Sequence, residues 1–329
     1  MLNPRLGRTF SGRHIRIITI GAILLILIVG CGGAEPTATI ASTPTKPHTN
    51  PTTIPPTPAS PTSTPKPAEG GQAMPKIIKG RFDIGDAELF IHCIGTGAPT
   101  VIMEAGWNDV GDTWSLVQPG VAEFTRACAY DRAGLGKSSE PGPQPRTMQQ
   151  VVEELNALLE KAGVQGPYLL VGHSLGGLYM RLYADCYPED VVGLVLVDSA
   201  HPDTYQRNLV ILPTESPDDS QSLKFYRDWF TESMDDPMLK LAPELLVAGS
   251  LGDLPLAVLT VPYKERADDF PVELSAQFDQ IWVELHQELA QLSSNSTHIL
   301  VEDSSHFIQH DQPDLIVEVI LHMVEQVRR

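Results

Sequence analysis

The sequence predicts one large α/β domain, a mostly parallel sheet with helices on both faces, or two small domains. Three observations predict it. From residue 77 onward, short apolar runs alternate with stretches of helical spacing. Strands buried on both faces read as near-continuous apolar runs, and strand–helix alternation marks a parallel sheet. A Gly-x-Ser-x-Gly at 172–176 joins one such run directly to a helix. Once the N-terminal 75 residues are set aside, about 255 remain, enough to bury a real core.

The N-terminus is an address. Arg5, Arg8, Arg13 and Arg16 precede an apolar run over 17–29, and no acidic residue occurs before Glu35. A basic region followed by roughly a dozen apolar residues is a Sec-type signal. The run is shorter than the ~20 residues a membrane-spanning helix needs. It ends Ile28-Val29-Gly30-Cys31, which resembles the lipobox of bacterial lipoproteins. That resemblance implies cleavage before Cys31, acylation of Cys31 and anchoring on the outer face of the cell membrane. Each buried methylene of an acyl chain contributes ~0.8 kcal/mol, so two or more chains hold stably. Ordinary signal cleavage and an uncleaved anchor are the alternatives.

Residues 31–75 then read as the lipidated cysteine and a tether. Between Pro36 and Pro67 there are 10 Pro and 10 Thr with almost no large apolar side chain. Such composition cannot bury enough surface to offset ordering entropy, and Pro biases it toward extended chain. At ~3.1 Å per residue its reach is at most about 110 Å.

The domain occupies 76–329. A hairpin is predicted over 81–94 around Gly85-Asp86, followed by strands at 100–104 and 127–130. Met148, Val151, Val152, Leu155, Leu158 and Leu159 share one face of a helix over 147–162. A strand at 168–171, a helix from Leu175 to about Cys186 and an apolar strand at 191–197 follow. Two more strands are predicted at 256–261 and 298–301, each with helix after it. Residues 204–252 interrupt the alternation, as a lid insertion would. Phe225, Tyr226, Trp229 and Phe230 in it serve either as an apolar cover for a pocket or as the lid's own packing.

Val171-Gly172-His173-Ser174-Leu175-Gly176-Gly177 resembles the nucleophile elbow of the α/β-hydrolase superfamily, in its serine esterase and lipase branch. A tight strand–turn–helix needs small residues on either side of the serine, which then stands at a helix N-terminus where amides favour negative charge. Asp131-Arg132-Ala133-Gly134-Leu135-Gly136-Lys137-Ser138 is similar to the superfamily's Asp-x-x-Gly-x-Gly-x-Ser turn. It lacks the spacing of a phosphate-binding loop, and it reads as structural, bordering the site. The resemblance covers about residues 78–329 and implies an α/β-hydrolase fold.

Serine is a poor nucleophile until a base takes its proton. His306, just past the last predicted strand, stands where the superfamily keeps its histidine. His298, His286, His310, His322, His92 and His201 compete less well. Superfamily order implies an acid between serine and histidine. Asp198, ending the strand 191–197, is favoured, with Asp268 and Asp269 as alternatives after the next strand. Two backbone donors are needed for the oxyanion: Leu175, after the serine, and Trp107, after Gly106, with Asn108 as the alternative to Trp107. The superfamily often has His-Gly where this chain has Ala105-Gly106.

Composition excludes other classes. Lys+Arg total 23 against Asp+Glu 41, a net charge of −18. Loss of residues 1–30 removes four cations and brings it to −22. An acidic surface repels phosphate backbones, so no nucleic-acid partner is expected. No Cys-x-x-Cys or His-Glu-x-x-His occurs, so no metal and no cofactor is implied. Four cysteines are too few for a disulfide scaffold. In the oxidising compartment that export implies, Cys93 and Cys128, on neighbouring strands of the superfamily's sheet, form a disulfide or remain buried thiols. The expected activity is hydrolysis of a small-molecule carboxylic ester through an acyl-enzyme. Amide or peptide hydrolysis, acyl transfer and non-catalytic ligand binding are alternatives on the same residues, and the oligomeric state is not encoded legibly.

Overall fold

The computed structural model describes residues 77–142, 146–234, 236 and 249–329. The signal expected over 1–30 and the lipidated Cys31 and tether expected over 31–75 lie outside the described residues. Among the described residues, no helix is long and apolar enough to cross a membrane.

Among the described residues, eight strands form one sheet. They are β1 (Ile78–Asp83), β2 (Glu88–Ile94), β3 (Thr100–Glu104), β4 (Arg126–Asp131), β5 (Tyr168–His173), β6 (Val191–Val197), β7 (Leu256–Thr260) and β8 (Ser296–Leu300). Their spatial order is β1-β2-β4-β3-β5-β6-β7-β8. The predicted hairpin is present: β1 and β2 pair antiparallel around Gly85, whose φ of +106° favours glycine. β2 meets β4 antiparallel, and every later pairing is parallel. The sheet is therefore mostly parallel, as expected.

The helices are α1 (Gln118–Val121), α2 (Met148–Lys161), α3 (Leu175–Cys186), α4 (Thr204–Ile211), α5 (Gln221–Ser233), α6 (Val272–Ala290), α7 (Ile308–Asp311) and α8 (Pro313–Val327). Alternate strand residues feed two separate cores, as a period of two requires. Ile102, Leu170, Leu194 and Val258 pack with Leu155, Leu159 and Leu178 of α2 and α3. Val101, Leu169, Val195 and Leu259 pack on the other face with Trp114 and with Ile316 and Ile320 of α8. α2 starts at a capping box in which Thr147 and Gln150 satisfy each other's backbone N–H.

α4 and α5 lie in the stretch predicted as an insertion. Their apolar side chains form a third cluster in which Leu223 and Phe230 pack with Phe270, Leu274 and Phe278. Three of these five come from beyond residue 252, so this small core is completed by α6 and the loop before it. Two strands start earlier than expected: β1 begins at Ile78 rather than Arg81, and β8 begins two residues before His298. β8 begins at Ser296, which puts His298 inside it, bonded to Thr260 Oγ1 at 2.9 Å. The apolar signal of 298–301 covers its last three residues and Val301 just past it; Ser296 and Thr297 are exposed and join by backbone pairing with β7.

Cys93 and Cys128 face each other across the β2–β4 ladder and form a disulfide. Cys186 keeps a free thiol at the end of α3.

Candidate active site

The site lies at the C-terminal ends of β3, β5 and β6 and in the loops after β7 and β8. Ser174 occupies the turn between β5 and α3 with φ +51° and ψ −123°, a conformation that L residues avoid. The neighbours explain why glycines flank it. A Cβ on Gly172 would lie 2.5 Å from the Gly176 carbonyl oxygen, and one on Gly176 2.6 Å from that of Ala105. A Cβ on Gly177 would lie 2.0 Å from Ser199 Oγ. Close packing of α3 on the strand ends therefore depends on all three. The Ser174 amide donates to Val197 O at 3.1 Å and its carbonyl accepts from Ala200 N at 2.9 Å, which ties the elbow to the end of β6.

His306 follows β8 in a loop that Asp311 organises by accepting from the Ser305 amide (2.8 Å) and hydroxyl (2.5 Å). The His306 carbonyl accepts from His173 Nε2 at 2.9 Å, and the two imidazoles lie 4.6 Å apart. This contact makes His173, the variable residue of the elbow, a brace for the histidine loop. Burial, then the neighbouring His306, pushes the His173 pKa down to about 3. It is neutral at pH 7, with its proton on Nε2.

His306 Nδ1 lies 2.6 Å from Asp198 Oδ2. Asp198 is fully buried at the end of β6, with φ +42°. Its Oδ1 accepts from Val261 N (3.0 Å) and Trp282 Nε1 (2.9 Å). Its Oδ2 also receives Lys264 Nζ in an ion pair. Burial alone would raise the Asp198 pKa. The hydrogen bond from His306 and the Lys264 charge outweigh it and hold the carboxyl well below its usual range. Lys264 is itself pushed down by burial, which Asp198 opposes, and its Nζ lies 4.6 Å from the Trp282 ring centre.

Leu175 is the first residue of α3, and a helix's first amides lack intrahelical acceptors. Trp107 follows Gly106 in the loop after β3 and is half exposed. The loop is held from behind. Arg132 donates to Ala105 O (2.8 Å) and Gly106 O (2.5 Å) and pairs with Glu104. Glu104 is fully buried at the end of β3 and also accepts from the Tyr130 hydroxyl. Burial raises the Glu104 pKa, and the Arg132 charge opposes the rise.

Trp107, Ser174, Leu175 and His306 line one cavity of about 300 Å³. Tyr226, Trp229 and Phe230 line it too, together with Phe278, whereas Phe225 is exposed and is not among its walls. Three of the four lid aromatics thus face a cavity and pack with one another as well. The arrangement supplies a hydroxyl at a helix N-terminus, an imidazole oriented by a buried carboxylate, and an apolar chamber.

The structure brings together five of the six predicted residues: Ser174, His306 and Asp198, with Leu175 and Trp107 at the cavity. Cys31 lies outside the described residues. Asp269 is instead fully exposed to solvent and accepts from Ser222 N, capping α5 at 3.2 Å. Among the competing histidines, His286 is fully buried, with Nδ1 on Trp282 O and Nε2 4.0 Å from Asp198 Oδ1. His310 bonds Thr113 Oγ1 at 3.0 Å. His201, Asp203 and Glu288 bring potential ligand atoms together, but Arg207 already pairs with both carboxylates. Three contributors escaped the sequence reading: Lys264, Trp282 and the Glu104–Arg132 pair. Only Arg132 carried a signal, as part of the Asp-x-x-Gly-x-Gly-x-Ser turn. That turn is structural as read: Asp131 accepts from Gly111 N (2.8 Å) and Lys137 N (2.7 Å).

Comparison with known proteins agrees with this architecture. The sequence matches the alpha/beta hydrolase family over residues 89–319. It is 32% identical over 225 residues to the uncharacterized protein YqjL of Bacillus subtilis, spanning 68% of this chain and 83% of that one. It is 24% identical over 281 residues to an AB hydrolase superfamily protein of Gibberella zeae, spanning 70% and 87%. Among solved structures, a thermophilic esterase from Thermogutta terrifontis aligns with a TM-score of 0.55 at 18% identity, covering 76% of this chain and 99% of that one. At that identity the likeness is one of fold. The family model spans residues 89–319, more than half of the chain, and this establishes that the chain belongs to the alpha/beta hydrolase family.

Proposed function

We propose that the protein is a serine hydrolase of carboxylic esters, exported and held at the outer face of the cell membrane by lipid on Cys31. One observation carries the catalytic part. Ser174, in a strained turn at a helix N-terminus, shares a cavity with His306, whose Nδ1 lies 2.6 Å from the buried Asp198. Ser174 Oγ attacks the acyl carbonyl carbon while His306 Nε2 takes its proton. Asp198 holds the imidazole with its proton on Nδ1 and stabilises the imidazolium. The Leu175 and Trp107 amides receive the developing oxyanion, and loss of one such donor costs roughly 3–4 kcal/mol of transition-state stabilisation. Collapse breaks the acyl C–O bond, and His306 gives its proton to the departing alcohol. Water, deprotonated by His306, then releases the acid and restores Ser174. The anchoring part is supported by the basic region, the apolar run and the Gly30-Cys31 junction.

The test is fluorophosphonate labelling of the full chain, with turnover of short-chain esters. Labelling and turnover in the wild type, with Ser174→Ala unlabelled and about 10⁶-fold slower, are expected. A folded protein that neither labels nor turns over any ester refutes the reading and leaves a ligand-binding protein. Metabolic incorporation of a fatty-acid probe, lost in Cys31→Ser, checks the anchor.

A further inference from the structure

Two nitrogens share one oxygen of Asp198. Val261 N and Trp282 Nε1 bond Oδ1 at 3.0 and 2.9 Å. Oδ2 takes His306 Nδ1 at 2.6 Å and Lys264 Nζ as well. The indole that bonds Oδ1 also seats the ammonium, with Nζ 4.6 Å from its ring centre. The carboxylate is fully buried and the Lys264 side chain is only 18% exposed, so solvent screens the three groups little. Two hydrogen bonds to one oxygen hold the ammonium within roughly 5 Å of the imidazole. Like charges at that distance oppose each other by more than about one pH unit, even at the effective dielectric of partly buried sites.

The other neighbours of His306 act differently. His173 donates to the His306 carbonyl, and His286 Nε2 lies 4.0 Å from Asp198 Oδ1. Burial pushes His173 down to about 3 and His286 down to about 4, so both rings are neutral above pH 5. Arg266 is paired with Asp279 at 2.8 Å. Glu265, Glu302, Asp303, Asp311 and the phenol Tyr263 line a cleft that includes His306, and all five are exposed and screened by water. Among the described residues, Lys264 is therefore the cation bonded to the carboxylate that orients His306. A carboxylate already offset by an ammonium stabilises an imidazolium less. We propose that Lys264 acts through Asp198 as a positioning residue: its ammonium offsets the carboxylate, so His306 stays neutral and able to accept the serine proton to lower pH than Asp198 alone would allow. The consequence for turnover rests on the serine-hydrolase reading; the consequence for the protonation of His306 does not.

The test is the pH profile of kcat/KM for a p-nitrophenyl ester on the full chain between pH 5 and 9, each variant scaled to its own plateau. The exposed carboxylates are the same in every variant, so the difference between profiles isolates Lys264. Lys264→Met is expected to move the midpoint of the acid limb up by about one pH unit or more, which is about a tenfold loss at the acid end relative to the plateau. Lys264→Gln keeps a donor for Asp198 without the charge; it should shift in the same direction and serves if Lys264→Met does not fold. Lys264→Arg keeps the charge and should leave the midpoint in place. A folded Met or Gln variant whose midpoint stays or falls overturns the proposal, as does an Arg variant that shifts as far as the Gln variant. The ring protons of His306 are followed separately by NMR, identified by their loss in His306→Gln, and should titrate with the same upward displacement in the Met or Gln variant. That displacement without ester turnover at any pH refutes the hydrolase and leaves the role of Lys264 standing; no displacement overturns that role.

Discussion

Asp198→Asn separates what the carboxylate does for chemistry from what it does for stability. The amide keeps the shape of the side chain. Its oxygen can still accept from Val261 N and Trp282 Nε1, which lie at 3.0 and 2.9 Å from Oδ1. Its NH₂ then replaces Oδ2, facing His306 Nδ1 and Lys264 Nζ. An N–H donor opposite Nδ1 favours the imidazole tautomer with its proton on Nε2, the nitrogen that takes the Ser174 proton in the proposed mechanism. A tautomer error of this kind costs about 10⁴ in turnover. Lys264, whose side chain is only 18% exposed, loses its counter-charge. Breaking a buried pair from one side costs about 3 kcal/mol. Adding Lys264→Met removes the stranded ammonium, so the double variant should recover much of that stability and none of the activity. Hydrolysis of a p-nitrophenyl ester and urea melts give the two readouts. Turnover of Asp198→Asn within tenfold of wild type, or recovered by Lys264→Met, would refute the argument.

Other consequences follow from the same contacts. Burial pushes His173 down to about 3 and His201 and His286 down to about 4, against 6.5 when unfolded. Between pH 6.5 and 4 the unfolded chain binds more protons, so stability falls as pH drops through that window, by about 1.4 kcal/mol per pH unit for each proton difference; urea midpoints flat from pH 7 to 5 would contradict this. Arg132→Met leaves Glu104 buried without its cation and frees the Ala105 and Gly106 carbonyls. We expect it to destabilise the fold by about 3 kcal/mol and to lower kcat by about tenfold or more with KM little changed, since the loop carries Trp107, the proposed oxyanion donor. The conservative Arg132→Lys should restore part of the stability and less of the rate, because one ammonium cannot reach both carbonyls as the guanidinium does. The Cys93–Cys128 disulfide closes a sequence separation of 35. On the loop-entropy account, Cys93→Ala with Cys128→Ala costs about 4 kcal/mol, read as a lower thermal midpoint that reducing agent reproduces in the wild type.

The long helices α2, α3, α6 and α8 and most strands were legible because each buries a face, and burial writes a period into the chain; α1 and α7, one turn each, carry no such period. The α2 face over Met148–Leu159 and the apolar strand Val191–Val197 were read at the same residues that the structure buries. Ser174 was legible because its turn tolerates almost nothing but glycine two positions either side. His306 and Asp198 were readable only through their places at strand ends, and the choice of Asp198 over Asp269 needed coordinates. β8 was read late because its first half is exposed and joins the sheet by backbone pairing, which leaves no hydrophobic trace.

Local sequence specified the elements, the elbow and the order of its partners along the chain, because those depend on neighbours a few residues away. Folding alone set what surrounds Asp198: Lys264 and Trp282 come from 66 and 84 residues downstream, and no spacing rule links them to it. The same holds for the chamber that Trp107 and Leu175 line. A cavity's polarity is the sum of side chains from several elements, and that sum exists only once the sheet has gathered them.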